Sequence, residues 1–229
     1  MLFSVEMSAH DIVLRLLCAH GHVNSHDVRR GKLFPEDRHR LHNAAGVLHE
    51  LPVWIDESSR LTPLEIRSRA RKILGEARAT HGLVIVDYMQ LLDVSMDITG
   101  SRPENRQQEI TAISRSLKSV TKELNLPVVV LSQLSRAPER REGQSRRPRL
   151  SDLRESGAIE QDADVVIFIY QDQKDQLPEG ESQNRDLVTA RVAIAKNRNG
   201  PTGTFPLEFN KAWTRFFHQE HFQLLPEDE

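Results

Sequence analysis

The sequence predicts an α/β fold with a mostly parallel sheet, on three observations. "LVIVDY" (83–88), "LPVVVLSQL" (126–134) and "DVVIFIY" (164–170) are nearly continuous apolar runs, the pattern of parallel strands covered on both faces. Between the first two, Ile110, Ile113, Leu117, Val120 and Leu124 recur at intervals of three and four, the spacing of an amphipathic helix. "LVTARVAIAKNRNGPTGTFPLEFN" (187–210) alternates apolar with polar residues and turns near Gly200 and Gly203, predicting an antiparallel hairpin at the C-terminal edge of the sheet.

The remaining elements follow in chain order. "MLFSVEM" reads as a strand from its first residues. Ser8 is placed to cap a helix with Asp11 as its reciprocal partner, and Ile12, Val13, Leu16 and Leu17 form the expected buried stripe. Residues 20–52 read as short helices with polar turns, and "PVWID" (52–56) as a short strand. Thr62, Pro63 and Glu65 supply a cap, a first-turn proline and a capping-box acid. That helix is expected to run to about Thr80, with Leu64, Ala70, Ile73, Leu74 and Ala77 inward and Arg67, Arg69, Arg71 and Lys72 outward. A polar loop with Gly100 and Pro103, a charged loop (135–149), a short helix (152–160) and a solvated loop (172–186) complete the order.

Composition narrows the class. With 229 residues, 38% hydrophobic and 28% charged, the chain is an ordinary globular protein with enough length for a real core. A formal net charge of -2 does not mark a nucleic-acid binder, which leaves that role to local patches. The single cysteine, Cys18, excludes an internal disulfide and reads as a small buried hydrophobe. His22 and His26, four apart, would share a face if that segment is helical, but no cysteine or acidic cluster completes a metal site around them. No apolar run is long enough to cross a bilayer and no signal-peptide pattern is seen, so the expected location is cytoplasmic with no membrane partner.

Ligands of parallel sheets bind beyond the carboxyl ends of the strands. Four candidates fall there: Glu6, Asp87, Gln133 and the Lys196–Arg198 pair. A strand-end aspartate such as Asp87 can hold magnesium against a nucleotide phosphate, although many serve as caps or loop anchors. Glu6 can act as a general base toward water if its strand neighbours that of Asp87; otherwise it is a surface acid near a helix start. Gln133 can bond a phosphate and a loop at once, or simply anchor its loop. Lys196 and Arg198, two apart, are expected on the same side of a strand and can reach a phosphate across an interface, or lead into a turn. "SRRPRLSDLRESGAIEQDAD" gathers Arg146, Arg147, Arg149 and Arg154 around an expected helix start capped by Ser151. Such a patch suits backbone phosphates, and without aromatic residues it is not built for base stacking. A solvated charged loop is the plainer alternative.

Taken together, "LFSVEMS", "LTPLEIRSRAR", "VIVDYMQLL", "ENRQQEI", "SRSLKSVTKELNLPVVVLSQLSR", "RPRLSDLRESGAIEQDADVVIFIYQD" and "AKNRNGPTGTFPLEF" resemble, in order, the C-terminal motor domain of the bacterial replicative DNA helicase, the DnaB family. The resemblance implies a RecA-like P-loop NTPase core in which residues 1–229 form part of that C-terminal domain. It implies that Glu6 polarises the attacking water, that Asp87 is the Walker B residue organising Mg2+, and that Gln133 couples the γ-phosphate of ATP to the DNA-binding loops. It makes Arg198 a finger into a neighbour's nucleotide, assisted by Lys196. It assigns Arg154, Glu155 and Gly157 to a loop gripping single-stranded DNA inside a homo-hexameric ring. The family unwinds DNA 5′ to 3′ using ATP and works with primase and a helicase loader.

One departure accompanies the resemblance. The family carries an N-terminal primase-binding domain, a linker helix, a first strand and a P-loop, Gly-x-x-x-x-Gly-Lys-Thr/Ser; no such loop occurs in these 229 residues. The expectation is therefore a chain inactive by itself and prone to aggregate, with the missing strand beside that of Asp87. The alternative is a non-catalytic remnant that binds single-stranded DNA or a ring subunit.

Overall fold

The structure, a computed structural model, describes residues 1–94, 105–135, 147–153, 157–171 and 186–218. The chain forms two compact units. The first comprises residues 1–9, 53–136 and 150–163. The second comprises 10–52, 137–149 and 164–229.

The first unit is a four-stranded parallel sheet. Its strands are β1 (Leu2–Ser4), β2 (Ile55–Asp56), β3 (Val84–Asp87) and β4 (Val128–Val130), in the order β2-β1-β3-β4. Helices α4 (Pro63–Ala77) and α5 (Arg106–Leu124) contribute Ile66, Ala70, Ile110, Ile113 and Leu117 to a core with Phe3, Val84 and Val86. Because side chains alternate along a strand, Phe3, Val84 and Val86 share one face. Ile85, on the other face, is only half-buried, so β3 is sealed on one side rather than on both as its apolar run suggested.

The start of α4 follows from local chemistry. The Thr62 hydroxyl accepts from the Glu65 amide at 3.2 Å, and the Glu65 carboxylate accepts from the Thr62 amide at 2.8 Å. The bond from the Thr62 amide, and then one from the Thr62 hydroxyl at 2.9 Å, hold the Glu65 carboxyl below its ordinary value. The helix ends at Ala77, three residues short of the sequence expectation, because Arg78 turns left-handed with φ of 50° and its amide bonds the Gly75 carbonyl. Its buried side is Pro63, Ile66 and Ala70; Leu64 and Ala77, expected inside, face out.

The second unit carries an antiparallel sheet of β5 (Val165–Tyr170), β6 (Leu187–Asn197), β7 (Gly203–Asn210) and β8 (Arg215–His218), in sequential order. The expected hairpin is β6–β7, in unbroken register from Leu187 opposite Asn210 to Ile194 opposite Gly203. The expectation for "DVVIFIY" as a parallel strand covered on both faces is corrected. It is β5, antiparallel to β6 at a sheet edge, with Val166 and Phe168 buried but Val165, Ile167 and Ile169 exposed. An apolar run alone does not distinguish a doubly covered strand from an edge strand. The β5–β6 ladder slips by one residue at Val166/Ile167.

Helices α1 (Ala9–Gly21), α2 (Ser25–Arg29) and α3 (Pro35–His49) precede the sheet strands of this unit. Of the stripe expected on α1, Ile12 is buried whereas Val13 and Leu16 are exposed; Cys18 is fully buried, as expected. Asn24 caps α2 by accepting from the His26 amide at 2.9 Å. His22 stacks on Trp213, with ring centroids 4.8 Å apart, and the Ser25 amide bonds the Ala212 carbonyl, joining the α1–α2 corner to the β7–β8 turn.

Two further expectations are revised. The strand of Asp87 has a partner on each side, β1 and β4, so the sheet's edges among the described residues are β2 and β4. At the β4 edge Val129 and Leu131 are each 46% exposed. The helix expected over 152–160 is instead a 3₁₀ turn, Leu150–Asp152, followed by α6 (Gly157–Asp162). No helix among the described residues is long and apolar enough to cross a membrane.

Candidate functional site

Parallel pairing fixes the direction of every strand in the first sheet, so β1, β3 and β4 all end at one rim. Glu6, Asp87 and Gln133 lie at or just beyond those three adjacent ends. Ser4 stands opposite Asp87, and the Val5 amide donates to the Asp87 carbonyl at 2.9 Å. Glu6 follows in a tight turn closed by the buried Ser4 hydroxyl, which donates to the Met7 carbonyl at 2.9 Å and accepts from the Met7 amide at 3.1 Å. Glu6 is exposed and Asp87 half-buried. Among the described residues neither carboxylate has a hydrogen-bond or ion-pair partner.

Beyond β3 the chain crosses a cis Asp87–Tyr88 peptide into the 3₁₀ turn Met89–Leu91. The Met89 amide bonds the Leu131 carbonyl at 2.9 Å, and the Leu131 amide bonds the Val86 carbonyl at 2.9 Å. These bonds extend the β3–β4 pairing past the strand ends and bring Gln133 to the rim. Gln90 also joins the two segments: its side-chain amide donates to the Ser132 hydroxyl at 2.9 Å and to the Gln133 carbonyl at 3.4 Å, and accepts from the Gln133 amide at 3.3 Å.

Sequence reading missed Gln90 and Ser4. Neither lies in a periodic pattern, and their roles depend on which strands are neighbours. It also missed Asp56 at the end of β2, whose carboxylate pairs with Arg69 at 2.5 Å and accepts from the Ser58 amide at 3.0 Å. Burial pushes the Asp56 carboxyl up, but the bonds from Ser58 and Arg69 outweigh it and hold the group below its ordinary value. Asp56 is thus committed to an internal pair.

Lys196 and Arg198 belong to the second unit. Lys196 is half-buried opposite Val166 near the end of β6; Arg198 is exposed in the following turn. The Arg198 guanidinium pairs with Asp164 at 3.3 Å, and its amide donates to the Asp164 carbonyl at 2.9 Å. Asn197 shapes that turn by donating to the Pro201 carbonyl at 3.2 Å. A Cβ at Gly200 would lie 2.7 Å from the Asn197 side-chain amide nitrogen, so a larger residue there would displace that side chain from its bond to Pro201.

Of the basic patch, Arg147 is half-buried, Arg149 is exposed and Gly157 opens α6. Arg146, Arg154 and Glu155 lie outside the described residues.

The donor set can be tested for metal fit. Among the described residues no group of three or more His, Cys, Asp or Glu side chains gathers to cage an ion. Magnesium does not ask for such a cage: it is held by one or two carboxylates, with waters and substrate phosphates filling the remaining positions. Asp87, a half-buried carboxylate at the rim, fits that requirement as a single ligand, and the chemistry does not resemble a zinc site.

Comparison with known proteins agrees with this architecture. The profile of the DnaB-like helicase C terminal domain matches residues 1–218. The chain is 44% identical over 219 residues to the replicative DNA helicase DnaB of Geobacillus stearothermophilus, covering 96% of this chain and 45% of that protein. It is 42% identical over 219 residues to the replicative DNA helicase DnaC of Bacillus subtilis (strain 168), with the same coverage of 96% and 45%. The chain therefore spans about half the length of the curated relatives it matches. Among solved structures, a DnaB-like replicative helicase described with its primase interactions superposes with a TM-score of 0.83 at 34% identity, covering 96% of this chain and 51% of that one. A second solved structure, of an ATPase domain, gives a TM-score of 0.83 at 34% identity, covering 96% of this chain and 74% of that one.

Proposed function

The chain belongs to the DnaB-like helicase C terminal domain family, and on that premise we propose that it is the motor portion of a replicative DNA helicase that hydrolyses ATP to unwind DNA. The observation that carries this reading is the shared rim of β1, β3 and β4, which holds Glu6, Asp87 and Gln133. Asp87 would hold Mg2+ through water, and the ion would neutralise charge on the phosphate oxygens of ATP. Glu6 accepts a proton from the attacking water, one strand away from Asp87. Gln133 bridges the γ-phosphate side of the rim to its own loop. Arg198, with Lys196, serves a nucleotide held by an adjoining copy, and to do so its guanidinium has to leave Asp164.

Arg147 and Arg149, with Arg146, Arg154, Glu155 and Gly157, grip the backbone of single-stranded DNA. Their cations release counterions on binding, which makes affinity fall with salt. By family, the working assembly is a cytoplasmic homo-hexamer moving 5′ to 3′, served by primase and a helicase loader. A second reading is a non-catalytic module that binds single-stranded DNA or a ring subunit.

Two titrations separate the readings. Labelled oligothymidine is titrated with the chain across a salt series, and the chain is titrated with magnesium and ATP. The motor reading expects salt-sensitive DNA binding weakened in Arg149→Ala and Arg154→Ala, and magnesium-dependent nucleotide binding lost in Asp87→Ala. DNA binding without any magnesium-dependent nucleotide binding supports the non-catalytic module. Absence of both overturns the motor reading and the DNA-binding module alike.

A further inference from the structure

We infer that Gln90 is a positioning residue that ties the loop of Gln133 to the segment of Asp87, so that the main chain at Gln133 registers what Asp87 holds. The inference rests on the motor reading above for its purpose, but its geometry stands separately. Gln90 lies three residues after Asp87, in the 3₁₀ turn Met89–Leu91. Its single side-chain amide reaches the next strand end in three bonds: to the Ser132 hydroxyl at 2.9 Å, to the Gln133 carbonyl at 3.4 Å and from the Gln133 amide at 3.3 Å. An amide is suited to this because it both donates and accepts; a carboxylate offers only acceptors and an aliphatic side chain offers neither.

The other side of Gln90 is held as well. Its backbone carbonyl accepts from the Arg106 guanidinium in the first turn of α5, and Arg106 also bonds the Glu109 carboxylate at 2.7 Å. The turn after β3 is therefore fastened to α5 at its main chain and to the β4 loop at its side chain. Gln133 follows the last β3–β4 ladder bond, in which the Met89 amide reaches the Leu131 carbonyl. Between that bond and Gln133 the strand pairing has stopped, and the Gln90 amide continues it. A displacement at Asp87 is carried three residues along a short turn and delivered to the Gln133 peptide.

The test uses amide resonances of the full 229-residue chain, with magnesium chloride as the probe. In the native protein, magnesium shifts amides around Asp87 and shifts the Gln133 amide with the same midpoint. Gln90→Ala is expected to abolish the Gln133 response while leaving the response around Asp87. Ser132→Ala, which keeps both bonds between Gln90 and Gln133, is expected to retain it. Gln90→Glu gives a readout that depends on neither magnesium nor Gln90→Ala folding. Its new carboxyl donates only when protonated, so the Gln133 amide should shift with pH in that variant and not in the native chain. An undiminished Gln133 response in Gln90→Ala, loss of it in Ser132→Ala, or a pH-silent Gln133 amide in Gln90→Glu overturns the inference. If magnesium moves nothing near Asp87, the motor reading is what fails, and the Gln90→Glu titration alone decides whether the tie exists.

Discussion

Ser4 and Asp87 face each other across the β1–β3 ladder, and the bond from the Val5 amide to the Asp87 carbonyl fixes the aspartate through its backbone. Its carboxylate has no bond to lose among the described residues. Asp87→Ala should therefore leave the urea unfolding midpoint close to native, within about 0.5 kcal/mol, as for other substitutions that remove no packed or bonded group. The same variant should lose every magnesium-induced amide shift at the rim. With no phosphate cradle in the sequence, the native chain is expected to show no ATP turnover by itself. Magnesium-dependent turnover that disappears in Asp87→Ala would contradict that expectation.

The capping box of α4 should be measurable as stability. Thr62→Ala removes the acceptor of the Glu65 amide and is expected to lower stability by about 1 kcal/mol. Thr62→Ser keeps the oxygen and should recover most of the loss. Urea titration followed by helical circular dichroism reads both.

Acid should weaken the second unit through His22. Arg215 donates to Nε2 of His22 at 2.6 Å, and because a guanidinium only donates, this ring nitrogen must be unprotonated. Burial first, and then the charges of Arg215, His20 and Arg40, lower the His22 pKa below its ordinary 6.5. The unfolded chain then binds a proton more readily than the folded chain. Stability is full above the unfolded value and falls as the pH drops below it toward the folded value. Trp213, stacked on His22, reports the change by fluorescence. His22→Phe should flatten the acid limb of a plot of unfolding midpoint against pH, and an unchanged limb would remove His22 from the account.

The β4 edge should drive self-association. Val129 is nearly half exposed on an uncharged three-valine strand, and the outward amides and carbonyls of that strand are open to pairing. Sedimentation velocity should show association rising with chain concentration. Val129→Lys should reduce it, since an edge lysine resists strand addition. If Val129→Lys associates as strongly as the native chain, another surface is responsible.

What the sequence disclosed tracks how local each cause is. The Thr62–Glu65 box spans three residues and could be read directly, as could the strand ends at Asp87 and Gln133, where apolar runs stop. The side of α1 that is buried could not, because Val13 and Leu16 follow a helical period whose covering surface is set by distant residues. The same limit applies to β5. Its apolar run is genuine, but its antiparallel partner and exposed Ile167 depend on where β6 lies. Gln90 escaped notice because a lone polar residue after a strand has no meaning until the neighbouring strand end is known.

The slip in the β5–β6 ladder has a geometric consequence. Ile194 pairs with Ile167 and Lys196 with Val166, so Ala195 is the surplus residue. Directly opposed residues point the same way, and adjacent residues of β5 point oppositely. Lys196 therefore emerges on the opposite side from Ile194, although the two are an even number apart. Ala195 works as a phase shifter: in an unslipped ladder of the same length Lys196 would emerge on the side of Ile194, and the one surplus alanine sends it to the reverse side.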